Sequence, residues 1–163
     1  MKTKLVMLAL ASLLIPKSQD AFSQATIDIQ FIEPGKFTDA CPRSRRGSER
    51  ELNDTLEALR KVIVESGNKV LKTGDELKMD VLDVNLAGDF PATQSLSHEI
   101  RVMREIDWPS MKVRYTLKSG GKESKGEATM SDMAYLQSGS LCSGEGLCYE
   151  RRMVERWFRK ELH

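Results

Sequence analysis

The sequence predicts an α+β domain: an antiparallel sheet of about 4–5 strands with one long and one C-terminal helix packed on one face. Three observations predict it. Apolar residues recur at every second position in several runs, as half-buried strands require. One central segment repeats its apolar residues at spacings of three and four. The chain closes on a second amphipathic stretch, so the order is strand, helix, several strands, helix.

The first 25 residues stand apart. Lys2 and Lys4 precede Leu5–Ile15, an apolar run interrupted only by Ser12, and Pro16 ends it. Small residues follow at Ala21, Ser23 and Ala25. This is the layout of a secretory signal peptide, and the run is too short to span a membrane, which takes roughly 20 apolar residues. Cleavage before Gln24 or before Thr26 fits. The expected division is a signal peptide over 1–25 and a single domain over 26–163, placed in the periplasm or secreted. No cysteine closely follows the apolar run, so a lipid anchor is not expected. Removing Lys2, Lys4, Lys17 and Asp20 turns a formal charge of +1 into one of about −1. A near-neutral domain has no general attraction for nucleic acid or anionic lipid, and no other stretch reads as a membrane span.

The elements follow in order. Ile27, Ile29 and Phe31 alternate with Asp28 and Gln30, a strand closed by Pro34-Gly35. Lys36–Gly47 is irregular, and its basic residues Arg43, Arg45 and Arg46 read as a solvated loop. Ser48 followed by Glu51 is a capping box that opens a helix. Its stripe is Leu52, Leu56, Leu59, Val62 and Ile63, its solvated face Glu57, Arg60, Lys61 and Glu65. Gly67-Asn68, both tolerant of left-handed backbone, is its stop. Leu77, Met79 and Val81 form the next strand. The apolar phase then shifts to Leu82, Val84 and Leu86, which predicts a bulge.

Ile100, Val102, Arg104 and Ile106 read as a further strand, with Arg104 on its apolar face and Asp83, Asp89 or Asp107 as partner. Trp108-Pro109 interrupts. Met111, Val113, Tyr115 and Leu117 alternate cleanly, and Ser119-Gly120-Gly121 turns the chain into a polar returning arm, Lys122–Met130. That arm reads as an edge strand blunted by charge. Ser131–Leu136 reads as a short helical turn. A Gly/Ser loop, Gln137–Gly146, leads to the closing helix Tyr149–Leu162, with Tyr149, Met153, Trp157 and Phe158 on one face and a Glu155–Arg159 pair.

Cys41, Cys142 and Cys148 are the three cysteines. In an oxidising compartment one pair should close. Cys142 and Cys148 flank the flexible Ser-Gly-Glu-Gly-Leu and are the preferred bridge; Cys41 with either partner remains open.

Chemistry-bearing groups are few. Asp83, Asn85 and Asp89 resemble part of a calcium loop, but Ala87 and Gln94 stand where ligands belong. The plainer reading is a strand end with turn-capping side chains, and no metal site or cofactor is assigned. His98 with an aspartate partner is the one arrangement that would suit a periplasmic hydrolase, yet no Gly-x-Ser-x-Gly elbow accompanies it. No residue is assigned as catalytic. Trp108, Tyr115, Trp157 and Phe158 read as core before ligand groove.

Six elements occur in order: Phe37-Thr38-Asp39, Asp83-Val84-Asn85-Leu86-Ala87-Gly88, Ile100-Arg101-Val102-Met103-Arg104, Asp107-Trp108-Pro109, Asp132-Met133-Ala134-Tyr135-Leu136 and Tyr149-Glu150-Arg151 with Trp157-Phe158-Arg159. Together they resemble a bacterial family of exported proteins catalogued only as a domain of unknown function. The likeness runs from about Ile29 to the end. It implies an envelope or secreted protein and carries no reaction, cofactor or catalytic residue with it. In that family Arg follows the Trp-Pro element, where this chain has Ser110; the cysteines are outside the pattern. Physically, Asp39 and Asp132 sit where a carboxylate accepts backbone N–H bonds. Asp83, Arg101, Arg104, Asp107 and Trp108 are the candidate ligand-binding residues. The reading is a non-enzymatic binding or accessory domain whose partner is an envelope protein or a cell-wall component. The alternatives are the His98 hydrolase and a weak cation module at Asp83–Asp89.

Overall fold

The computed structural model describes residues 24–44, 47–91, 100–137, 142 and 146–162. The signal segment, Arg45, Arg46, Gln94, His98 and most of the Gly/Ser loop lie outside the described residues. Four strands form one sheet in the order β1-β2-β3-β4, and two helices cover one face.

β1 (Thr26–Phe31) turns Ile27, Ile29 and Phe31 inward, as their alternation requires. A short 3₁₀ turn (Pro34–Lys36) follows, and then α1 (Glu49–Asn68). Ser48 Oγ accepts the Glu51 N–H at 3.1 Å, so the predicted cap forms. The Glu51 carboxylate, however, reaches out to the Arg43 backbone N–H at 2.6 Å, and ties the preceding loop to the helix. Leu59, Val62 and Ile63 are buried with Thr55 and Ser66. Those hydroxyls are tolerated because each bonds back along the helix, to Glu51 O and Val62 O.

α1 is about 30 Å long and returns the chain along the sheet, so β2 (Glu76–Asn85) lies parallel to β1, from Thr26↔Glu76 to Phe31↔Val81. The sheet is therefore mostly antiparallel with one parallel pair, a helix crossover where a hairpin cannot reach. β3 (Ser110–Ser119) is antiparallel to β2, and the register shifts between Val81 and Asp83. That is the expected bulge. It turns Asp83 off the core face and puts Val84 onto it, opposite Met111. β4 (Lys122–Ser131) completes a hairpin through Gly120 (φ 56°) and Gly121 (φ 77°), a turn that needs positive φ at both positions.

α2 (Cys148–Glu161) buries Met153, Val154, Trp157 and Phe158 against α1 and the sheet. It crosses α1 at Gly67. A Cβ there would stand 2.5 Å from Ile27 Cδ1 and 3.3 Å from Phe158 Cε1. Gly67 thus serves close packing and is not a left-handed stop: the helix ends on Lys69 in right-handed backbone. Glu155 pairs with Lys69, the residue that caps the end of α1, at 2.7 Å, not with Arg159 as its spacing suggested. The predicted bridge Cys142–Cys148 is formed, with Cα atoms 5.5 Å apart, and fastens the preceding loop to the first residue of α2.

One expected strand does not form. The segment from Ile100 to Ile106 is not a strand: its backbone makes one isolated bridge, Asp89↔Val102. Ile100 and Ile106 are 66% and 69% exposed. Residues 132–137 make the expected turn, with the Tyr135 N–H donating to Asp132 O at 3.2 Å and the Gln137 N–H to Ala134 O at 3.0 Å. Among the described residues no helix is long and apolar enough to cross a membrane.

Phe158 touches both helices' core and the sheet, and it is fully buried. Phe158→Ala should lower the unfolding free energy by about 3–5 kcal/mol. Ile32→Ala, at an exposed position beside β1, should cost under about 0.5 kcal/mol. Urea unfolding of the two variants checks this, and equal losses would mean the core is elsewhere.

Candidate functional site

The candidate residues converge beyond the bulged end of β2. Three irregular segments meet there: residues 37–44, 86–90 and 100–108. Each has a reason to be irregular. Asp39 continues alongside β2 where β1 has ended, bonded to Val84 O and Leu86 N. Gly88 (φ 76°) turns the chain after β2. A Cβ on it would stand 2.8 Å from the Val102 carbonyl oxygen, so only glycine allows the third segment to lie so close. Asp89 and Val102 then exchange both backbone bonds, at 3.0 and 2.8 Å.

Arg101 locks the three together. Its side chain is 8% exposed. Nε donates to Pro42 O; Nη1 donates to Ala87 O and Gly88 O; Nη2 donates to Cys41 O and, at 2.7 Å, to Asp39 Oδ2. A guanidinium has five N–H donors, and all five are engaged by this chain. The group also lies over the Phe90 ring, 4.6 Å from its centroid. Arg101 therefore builds the site and has no donor left for a ligand.

The carboxylates are similarly engaged. Asp83 accepts the Thr38 N–H at 2.7 Å and the Thr38 hydroxyl at 2.8 Å. Asp39 also accepts the Cys41 N–H, as its boundary position predicted. Glu150, buried in the first turn of α2, accepts the Ala87 N–H at 2.8 Å. Burial pushes its carboxyl above the usual range, against the pull of that bond and of Arg101. Sequence reasoning missed Glu150; its place in the first helical turn was the available signal. Cys41 is a free, partly buried thiol. Burial, with the Glu51 and Asp39 carboxylates, raises its pKa, which disfavours the nucleophilic thiolate.

Arg104 is placed otherwise than expected. It is 42% exposed and not on an apolar face. Its Nε donates to Asp107 Oδ2, and its Nη2 lies 3.5 Å from Asp89 Oδ2. Its backbone carbonyl accepts the hydroxyl of buried Tyr135 at 2.7 Å. Burial, reinforced by Asp107, pushes that phenol's pKa up and keeps it a donor.

Two clefts share the wall formed by Thr38, Asp39 and Asp89. One, of about 400 Å³, runs to Phe37, Cys41 and the start of α1; the other, of about 260 Å³, is polar and bounded by Asn85, Gly88 and Asp107. Trp108 is half-buried and lines neither. The calcium-like trio is not assembled: Asp83 is bound to Thr38, and Asn85 pairs through its backbone with Asp39. Among the described residues no group of three or more His, Cys, Asp or Glu could hold a metal ion. The proposed hydrolase residue, His98, is outside the described residues.

Fold and site together define an α+β domain with a mixed four-stranded sheet, two covering helices and a polar cleft organised by a buried arginine. The chain belongs to the family described as "Protein of unknown function (DUF3016)", whose model matches residues 25–160. No curated protein and no solved structure matches it.

Glu150 gives the site a pH signature. A carboxyl whose folded pKa is raised stabilises the fold fully below its unfolded value of 4.5, and that contribution is lost as pH rises toward the folded value. Glu150→Gln removes the loss and keeps an acceptor for Ala87. The variant should gain stability relative to the parent as pH increases from 4 to 7. Denaturant unfolding across that range measures the difference, and a difference that does not change with pH would refute it.

Proposed function

We propose that this protein is an exported, non-enzymatic binding domain of the cell envelope, with the Arg104–Asp89–Asp107 rim of the polar cleft as its contact surface. One observation carries the reading. Asp39 and Asp107 in the cleft wall are held by the chain's own side chains, while Asp89 stays half-exposed in that wall and half-exposed Arg104 pairs with Asp89 and Asp107 beside it. Such a site is fixed in shape and carries both charge signs, which suits a peptide or a cell-wall component bearing amines and carboxylates.

Export is supported by the three-part N-terminal segment and by the Cys142–Cys148 bridge, since structural disulfides persist in oxidising compartments. The family match begins at residue 25, where the signal layout ends, and fits the same division.

Protein recovered from the periplasmic or secreted fraction should begin at Gln24 or Thr26 on N-terminal sequencing. Recovery only with Met1 retained would contradict export. Co-sedimentation with purified cell-wall sacculi, and capture with cross-linked envelope proteins, should fall about five- to tenfold in Arg104→Ala. Its melting temperature should barely move, because Arg104 is exposed. Undiminished binding in both assays would remove the rim from the proposal.

A further inference from the structure

We infer that the free edge of β4 is a self-association surface, on which a second copy of this chain pairs antiparallel about a twofold axis through Gly126. β4 is the last strand of the sheet, ten residues long, with no proline and an unbroken register against β3. Among the described residues nothing pairs with its outer side.

The hairpin fixes which groups that edge presents. In a two-residue turn the closing pair, Ser119↔Lys122, is hydrogen-bonded, and bonded and non-bonded pairs then alternate. Lys122, Ser124, Gly126, Ala128 and Met130 thus bond to β3. Glu123, Lys125, Glu127 and Thr129 turn their N–H and C=O groups outward, and their side chains lie on the charged, open face of the sheet.

An antiparallel strand added here must oppose outward residues to outward residues, so a twofold axis can pass only through a residue position. The charges then choose among the registers. An axis at Lys125 opposes that lysine to its own copy and Glu123 to Glu127. An axis at Glu127 opposes two glutamates. The axis at Gly126 opposes Lys125 to Glu127 of the second copy, twice by symmetry, and engages Lys122 through Met130 of both strands. An axis at Ser124 also opposes unlike charges but overlaps only about half of the strand. Charged edge residues normally deter pairing; here their alternation disfavours the Lys125 and Glu127 axes, and of the registers without like-charge contacts the Gly126 axis has the longest overlap.

The inner face agrees. A groove of about 310 Å³ runs between β4 and α2, lined by Ala128, Met130, Trp157 and Glu161. In the Gly126 register, Lys122 of the second copy lies opposite Met130, so its stem covers the groove mouth. The existing pairs Lys125–Glu123 and Arg114–Glu127 are exposed ion pairs of little strength, so re-pairing across the axis meets small resistance.

Sedimentation velocity of the disulfide-intact protein, with iodoacetamide present to block Cys41, should show a concentration-dependent dimer. Lys125→Glu and Glu127→Lys should each weaken it by at least about tenfold, because the axis repeats every like-charge contact. The double variant Lys125→Glu/Glu127→Lys exchanges the charges and should restore association to within about threefold. A monomer at every concentration, single variants that dimerise as well as the parent, or a double variant as weak as the singles would each overturn the inference. All the altered side chains are exposed, and far-UV circular dichroism confirms that each variant is folded.

Discussion

One guanidinium holds the functional end of this molecule together. The sheet and helices need no help there: their core is a continuous apolar layer from Ile29 to Phe158. The three segments beyond β2 have no such layer. They are short and irregular, and they carry carbonyls that must find donors once removed from water. Arg101 supplies those donors to Cys41, Pro42, Ala87 and Gly88, and its charge is balanced by Asp39. Gly88 gives the close approach that brings Arg101 in, and the Asp89–Val102 bridge holds it at the right depth. Lysine could not do the same, since three donors on one atom cannot span two loops.

A buried ion pair is weak evidence of net stability, because desolvation of both charges offsets their attraction. Its worth here is geometric. With Arg101 fully engaged, the cleft walls are set before any ligand arrives, and Thr38, Asp39 and Asp89 face the same space from fixed positions. Arg104, three residues on, takes the opposite role. It keeps half its surface in water beside Asp89 and Asp107. Two arginines on one short segment thus divide the work, one as frame and one as rim.

Periodicity revealed most of the frame. β1, α1, the bulge in β2, the β3–β4 hairpin, α2 and the disulfide were all legible, because each rests on local spacing or on a turn chemistry that local sequence determines. What local sequence does not carry is partner choice. The parallel pairing of β1 with β2 depends on the length of α1, and the function of Gly67 depends on Phe158 some ninety residues later. The site was half legible. Arg104 was expected to pair with Asp83, Asp89 or Asp107, and it meets two of them. The alternation of Ile100, Val102 and Ile106 nevertheless misled: it resembles a strand, yet the segment is anchored by its intervening Arg101 and leaves Ile100 and Ile106 outside. Arginine donors are needed inside there because the loop carbonyls have no other partners among the described residues, and residue spacing does not carry that demand.

The direct test of this account is a double-mutant cycle on Arg101 and Asp39, read as unfolding free energy. Arg101→Met keeps the apolar stem and removes the donors. It should lower stability by about 3–5 kcal/mol, because it leaves Asp39 and four carbonyls without their partner. Asp39→Asn, alone and combined with it, should show a coupling of about 1–3 kcal/mol. A loss under about 1 kcal/mol for Arg101→Met, with no coupling, would mean that the three segments hold their places without the guanidinium and would contradict the account.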